Sequence, residues 1–223
     1  MNSMINVMLV DDHMVVRFGF RLLLQATPDI RVIAEADSAD MAYQQIALCK
    51  PDVVVMDISL GGGGNASGSS SATTGVEATR RIVARDKSIR VLGLSSHEDP
   101  SYVRFMLKAG ALGYLSKRSA PDELIHAIRQ VAQGRMYLDA HVSQKMALQE
   151  FDGEKNVLEI LSEREFGVFL QLAKGLSVNQ IALDLNISPR TVGTHLYNVK
   201  QKLAVANQAE LALIAVRHGL IEL

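Results

Sequence analysis

Asp11, Asp12, Asp57, Ser95 and Lys117 are residue types that together could do phosphoryl chemistry, and each lies within two residues of the end of a short apolar run. Three carboxylates crowded together repel and raise one another's pKa unless a cation sits among them. A divalent metal resolves the conflict. Mg²⁺ suits one or two carboxylates completed by carbonyl, water and phosphate oxygens, and the sequence supplies no Cys/His set of the kind zinc takes. A carboxylate beside such a metal can accept a phosphoryl group while metal and lysine neutralise the transferring oxygens. Asp57 is then the nucleophile, Asp12 and Asp57 are direct metal ligands, and Asp11 is a water-mediated one.

The elements that must bring these residues together are β-strands at 5–10, 31–35, 53–57, 90–94 and 112–116. Helices are expected at 14–26, 39–49, 76–85, 100–109 and 121–133. Short β-branched runs alternating with helical periodicity mark βαβ units and a parallel sheet. The 53–56 run, Val-Val-Val-Met, is apolar on both faces, as a central strand covered by helices should be. In such sheets ligands bind beyond the carboxyl ends of the strands, where the strand order switches. Each residue has a simpler reading alone: Asp12 as the cap of the helix at 14, Ser95 as a turn former, Lys117 as a solvated lysine. Their coincidence at one sheet edge is what the simpler readings explain poorly.

Residues 61–74, GGGGNASGSSSATT, form a low-complexity tract that reads as a loop. It lacks the Gly-Lys-Ser/Thr of a phosphate-binding P-loop, and Gly61, Gly63 and Ala66 mimic a dinucleotide fingerprint only loosely. The expected organisation is an α/β domain over 1–134, a weakly helical connector over 135–158, and an all-helical domain over 159–223. The second domain opens on Ser162 with Glu165 three residues later, a capping box, and its first helix stops at Gly175. Ser177 opens a second helix and Ser188-Pro189 a third, describing a helix-turn-helix.

On the third helix Val192, Leu196, Val199 and Leu203 recur at core spacing. The other face offers Arg190, Thr194, Tyr197, Asn198 and Gln201, with Ser188 and Thr191 at the helix start, toward double-stranded DNA, and Lys200 and Lys202 at the flanks for phosphates. An amphipathic bundle helix would show similar spacing. A net charge of −1 excludes a surface positive throughout, so any DNA contact must be local. Few basic residues on one helix also point to a homodimer, formed on phosphorylation or on DNA, that doubles the phosphate contacts. No apolar run approaches membrane-spanning length and no signal peptide is evident, so a cytoplasmic location without membrane contact is expected.

The order Asp11-Asp12, Asp57, Ser95 and Gly113-Tyr114-Leu115-Ser116-Lys117 resembles the receiver domains of two-component response regulators. The segment 161–203 resembles the LuxR-type helix-turn-helix of the NarL/FixJ class, and the likeness continues through a fourth helix at 209–221 that often contributes to dimerisation in that family. The resemblance implies a doubly wound, flavodoxin-like five-stranded parallel sheet followed by a small four-helix domain. It implies that Asp57 accepts phosphate from a sensor histidine kinase and that the Ser59 carbonyl completes the Mg²⁺ site. Ser95 and Lys117 would hold the phosphoryl oxygens, and Tyr114 would turn inward as the hydroxyl moves. Such a protein catalyses only its own aspartyl phosphorylation and dephosphorylation.

Two departures stand out. The glycine that follows the acceptor in the family corresponds to Gly75, displaced by the low-complexity tract, and Gly193 replaces a lysine that contacts DNA in relatives. Two rivals remain on the residues alone. A phosphatase of the haloacid dehalogenase type would need a second Asp where Ser59 stands, and a receiver whose helical tail serves a protein partner is favoured by Gly193 and the neutral charge balance.

Overall fold

A computed structural model of the chain describes residues 4–60, 74–96, 100–119, 121–151, 160–185, 187–218 and 220–221. The expected loop at 61–74 lies outside these except for Thr74, which begins a helix. The first domain runs β1 (Ile5–Val10), α1 (Met14–Gln25), β2 (Ile30–Ala36), α2 (Ala39–Cys49), β3 (Val53–Asp57), α3 (Thr74–Arg85), β4 (Arg90–Ser95), α4 (Pro100–Lys108), β5 (Gly113–Ser116) and α5 (Pro121–Ala132). All pairings are parallel, in the order β2-β1-β3-β4-β5-β6.

Among the described residues the sheet therefore has six strands rather than the expected five. The extra edge strand, β6 (Tyr137–Leu138), falls in the stretch that reads as connector, and α6 (Ala140–Phe151) follows it. Two residues are too few to show the period-2 signal of a strand. They pair because the edge of β5 is open: Tyr137 N donates to Leu112 O at 3.1 Å and Asp139 N to Tyr114 O at 3.1 Å.

Alternation along the strands feeds two cores. Val7, Leu9, Val53, Val55, Leu92, Leu94 and Leu115 face α1 and α5 with Leu24, Leu124 and Ile128. Met8, Val10, Val54, Met56 and Val91 face the other layer with Ile46, Ile82, Val103 and Met106. All five residues of β3 are buried, so the strand that ends in Asp57 is enclosed along its whole length. β1 lies between β2 and β3, so the order reverses between β1 and β3 and opens a crevice beyond their carboxyl ends.

The second domain contains α7 (Glu163–Ala173), α8 (Val178–Asp184), α9 (Pro189–Leu203) and α10 (Gln208–Arg217). Each begins where a side chain satisfies free backbone amides. Ser162 and Ser177 form capping boxes with Glu165 and Gln180, Ser188 accepts from Thr191 N, and Asn207 accepts from Glu210 N. Phe166, Phe169, Ile181, Val192, Val199 and Leu211 close the core. Phe166 also reaches the first domain: its ring lies 5.5 Å from Tyr102 in an edge-on contact and 5.3 Å from Phe105, both on α4.

Candidate functional site

The switch in strand order places the β1 and β3 carboxylates side by side, and β5 supplies the cation between them. Lys117 Nζ lies 2.7 Å from Asp11 Oδ2 and 2.8 Å from Asp57 Oδ2. Asp11 and Asp57 are buried and Lys117 is largely so. Backbone amides complete the hold, Ser59 N donating to Asp57 Oδ1 at 3.1 Å and His13 N to Asp11 Oδ1 at 2.8 Å. Ser95 is fully buried at the end of β4, and its carbonyl accepts from Lys117 N at 2.7 Å, which locks the root of the lysine to the neighbouring strand.

Electrostatics follow from this enclosure. Burial pushes the Asp57 carboxyl above its ordinary range against the opposing pull of Lys117, and the Asp11 charge adds to the rise. Burial alone would lower the Lys117 ammonium, but its bonds to Asp11 and Asp57 outweigh it and the net shift is upward.

The donor set fits a hard divalent cation. One ligand atom from each of Asp11, Asp12, His13 and Asp57 can be chosen so that all lie within 4.8 Å of one another. Lys117 is shared by two of the three carboxylates, and a divalent ion would offset the remaining negative charge. Oxygen donors of this kind suit Mg²⁺.

Asp12 is not a helix cap: His13 occupies that position on α1, without a side-chain capping bond. Four contributors, His13, Arg17, Arg21 and Glu35, were not legible in the sequence. His13 Nδ1 lies 2.8 Å from Asp12 Oδ1. Arg17 donates through Nη1 to the Asp11 carbonyl and through Nε to Glu35 Oε2 at 3.2 Å, while Arg21 Nη1 donates to Glu35 Oε1 at 3.0 Å. The acidic loop is thus strapped to β2 by a partner 18 residues away, for which no local pattern exists.

Gly75 is required where the start of α3 passes close against the end of β3. Its amide donates to Ile58 O at 3.2 Å, and a Cβ there would fall 2.1 Å from the Asp57 carbonyl and 2.7 Å from Ile58 Cα. No side chain fits in that gap. Tyr114, next to Leu115 on β5, is fully buried.

The second candidate surface is α9. Arg190, Thr191, Thr194, Tyr197 and Lys202 are exposed, with Asn198 and Lys200 half-buried. Ser188 and Thr191 are engaged at the helix start, where Ser188 Oγ accepts from Thr191 N at 3.0 Å and lies 2.8 Å from Thr191 Oγ1. Both flanking lysines are held within the domain: Lys200 Nζ donates to Ala206 O at 2.9 Å, and Lys202 Nζ to Glu165 Oε2 at 2.6 Å. Arg190 and Tyr197 project from the helix as its large exposed polar and aromatic groups.

Residues 7–129 match the response regulator receiver domain, and residues 159–215 match the bacterial regulatory proteins of the luxR family. The chain belongs to the response regulators that join these two domains, the NarL/FixJ class, and is a two-component transcriptional regulator. It is 39% identical to the response regulator UvrY of Escherichia coli (strain K12) over 219 residues, 97% of this chain and 96% of that one. It is 35% identical to the response regulator GacA of Pseudomonas viridiflava over 221 residues, 98% and 99% of the two chains. Among solved structures it is similar to RcsB from Salmonella enterica serovar Typhimurium bound to promoter P1flhDC in the presence of phosphomimetic BeF3−. That likeness has a TM-score of 0.68 at 25% identity and covers 94% of this chain and 97% of RcsB. No described helix is long and apolar enough to cross a membrane.

Proposed function

We propose that Asp57 accepts a phosphoryl group from a sensor histidine kinase in a Mg²⁺-dependent reaction, and that the phosphorylated chain binds double-stranded DNA through α9 as a homodimer. The observation that carries the reading is the single lysine between two buried carboxylates at the switch in strand order, 2.7 and 2.8 Å from each. Asp11, Asp12, Asp57 and the Ser59 carbonyl would hold Mg²⁺, which supplies charge neutralisation at the phosphoryl oxygens when bound.

The protein's own residues then divide the work. One Asp57 oxygen attacks phosphorus as the bond to the donor imidazole breaks. The Ser59 amide fixes the other oxygen, so that the carboxylate presents one edge. Lys117 moves from the Asp57 carboxylate to a phosphoryl oxygen, keeping its contact with Asp11. The Ser95 hydroxyl takes a second phosphoryl oxygen. Burial raises the energy of the free Asp57 charge, which favours its conversion to an acyl phosphate whose charge is shared with metal and lysine.

Communication between domains runs through α4. Tyr102 and Phe105 pack on Phe166, so a shift of α4 that accompanies movement of Ser95 at the preceding strand end changes the seat of the DNA-binding domain. Phosphorylation then biases a two-state equilibrium. RcsB, bound to a promoter with a phosphomimetic present, supports the same linkage here. Leu213, 67% exposed on α10, offers an apolar contact for pairing of two DNA-binding domains. The division into receiver, connector and DNA-binding domain belongs to the same reading, with β6 carrying the receiver sheet past the expected limit of 134, as does a cytoplasmic location.

The direct test is labelling with acetyl phosphate and Mg²⁺. Wild type is expected to take up label stoichiometrically and Asp57→Ala to take up none. Persistent stoichiometric labelling of the variant would place the acceptor elsewhere.

A further inference from the structure

Gly193 sits in the interior of α9, where glycine is the least favourable residue short of proline. Among the described residues nothing explains it. A Cβ built at Gly193 would meet nothing within 4 Å. Its backbone is ordinary helix as well, since positive φ among the described glycines is confined to Gly110, Gly134 and Gly175.

Open space alone does not single it out, because Gly19 in α1 is equally free. What distinguishes Gly193 is its row. Residues three before and four after lie above and below it on the same helix face, and these are Arg190 and Tyr197, both exposed. The exposed Thr194 lies beside it between the same two residues, so the missing side chain at Gly193 leaves a notch walled by Arg190, Thr194 and Tyr197 on the helix proposed above to bind DNA.

We infer that Gly193 is a specificity-determining contact, where the α9 backbone approaches a base-pair edge closely enough that a methyl group would displace it. The inference rests on the proposed DNA-binding role of α9 and deepens it. The notch sets how far α9 enters the groove, and through that depth it sets which bases Arg190 and Tyr197 reach. In this respect glycine replaces a direct side-chain contact with a backbone approach, for which base edges, in particular the thymine methyl, provide the complementary shape.

The test compares the phosphorylated full chain with G193A. Each is used to select bound sequences from a random-sequence duplex pool, then titrated with the sequence that wild type selects. G193A should fold, and its thermal midpoint should rise by about 4 °C as helix propensity improves. It should bind the wild-type sequence about ten-fold more weakly and select a different base at one position of each half-site. Binding within two-fold of wild type with the same selected sequence would overturn the inference, as would weaker binding with an unchanged preference, which assigns the contact to the sugar-phosphate backbone. Failure of wild type to retain any duplex at low salt would overturn the DNA-binding role of α9 itself, an outcome distinct from the other two.

Discussion

Lys117 lies between two carboxylates that the fold has already removed from water, and its position decides what each of them costs. Asp57 is 1% exposed, and burial lifts its pKa despite the ammonium 2.8 Å away. An acid whose folded pKa is raised favours its protonated form. The folded state therefore carries no penalty below the unfolded value of 3.8, acquires it as pH rises through that value, and carries it in full above the folded pKa. Asp57→Asn removes the charge and keeps an acceptor for Ser59 N. In metal-free buffer at pH 7 the variant should be more stable than wild type by about 1 kcal/mol. The gain should shrink as pH falls from the raised folded pKa and should be gone at a pH below 3.8. Urea denaturation at both pH values measures it, and a variant less stable than wild type at pH 7 would show that Lys117 more than compensates the buried charge.

At the scale of elements, the acceptor site depends on how closely α3 approaches β3. Replacing Gly75 by alanine would bring a methyl into the space of the Asp57 carbonyl, 2.1 Å away, and backbone cannot yield as a flexible side chain can. Gly75→Ala should destabilise the receiver by about 2 kcal/mol and slow labelling by acetyl phosphate, because the displaced segment carries both Asp57 and the Ser59 amide. Unchanged stability and labelling would mean that α3 can back away freely. Elements of this kind were largely legible in the sequence. β1, α2 and β3 have the bounds that their apolar runs mark, and capping serines announced the starts of α7, α8 and α9. β6 was not, because a two-residue strand has no periodicity and forms only on an edge that β5 has already made. The strap from Arg17 to Glu35 and the Asp11 carbonyl escaped for the same reason, as did the bond from Lys202 to Glu165, 37 residues away. Pairings across the fold leave no local signature. The acidic cluster was legible because a parallel sheet delivers the ends of its strands to one edge whatever the side-chain details.

For the whole molecule, the consequential feature is the aromatic contact between domains. Phe166 is buried against Tyr102 and Phe105, whereas the outward face of α9 is exposed. The receiver thus restrains where the DNA-binding domain sits without covering its reading side chains. Phe105→Ala should loosen that seat while leaving the core of either domain intact, since Phe105 is only partly buried. DNA affinity of the unphosphorylated variant should rise toward that of phosphorylated wild type, measured by anisotropy titration of a labelled duplex. Affinity unchanged in both states would assign the contact to packing alone.

Control of DNA binding by Asp57 is tested most directly by titrating duplex DNA with the full chain, with and without acetyl phosphate and Mg²⁺, while sedimentation reports its association state. One domain brings few free basic groups to the duplex, with Lys200 and Lys202 held internally at 2.9 and 2.6 Å, so two domains on adjacent half-sites gain far more than one. The expected result is a phosphorylated dimer that binds at least about ten-fold more tightly than the unmodified chain, with Asp57→Ala showing neither change. A phosphorylated chain that stays monomeric on and off DNA, and binds no more tightly than before, would contradict it.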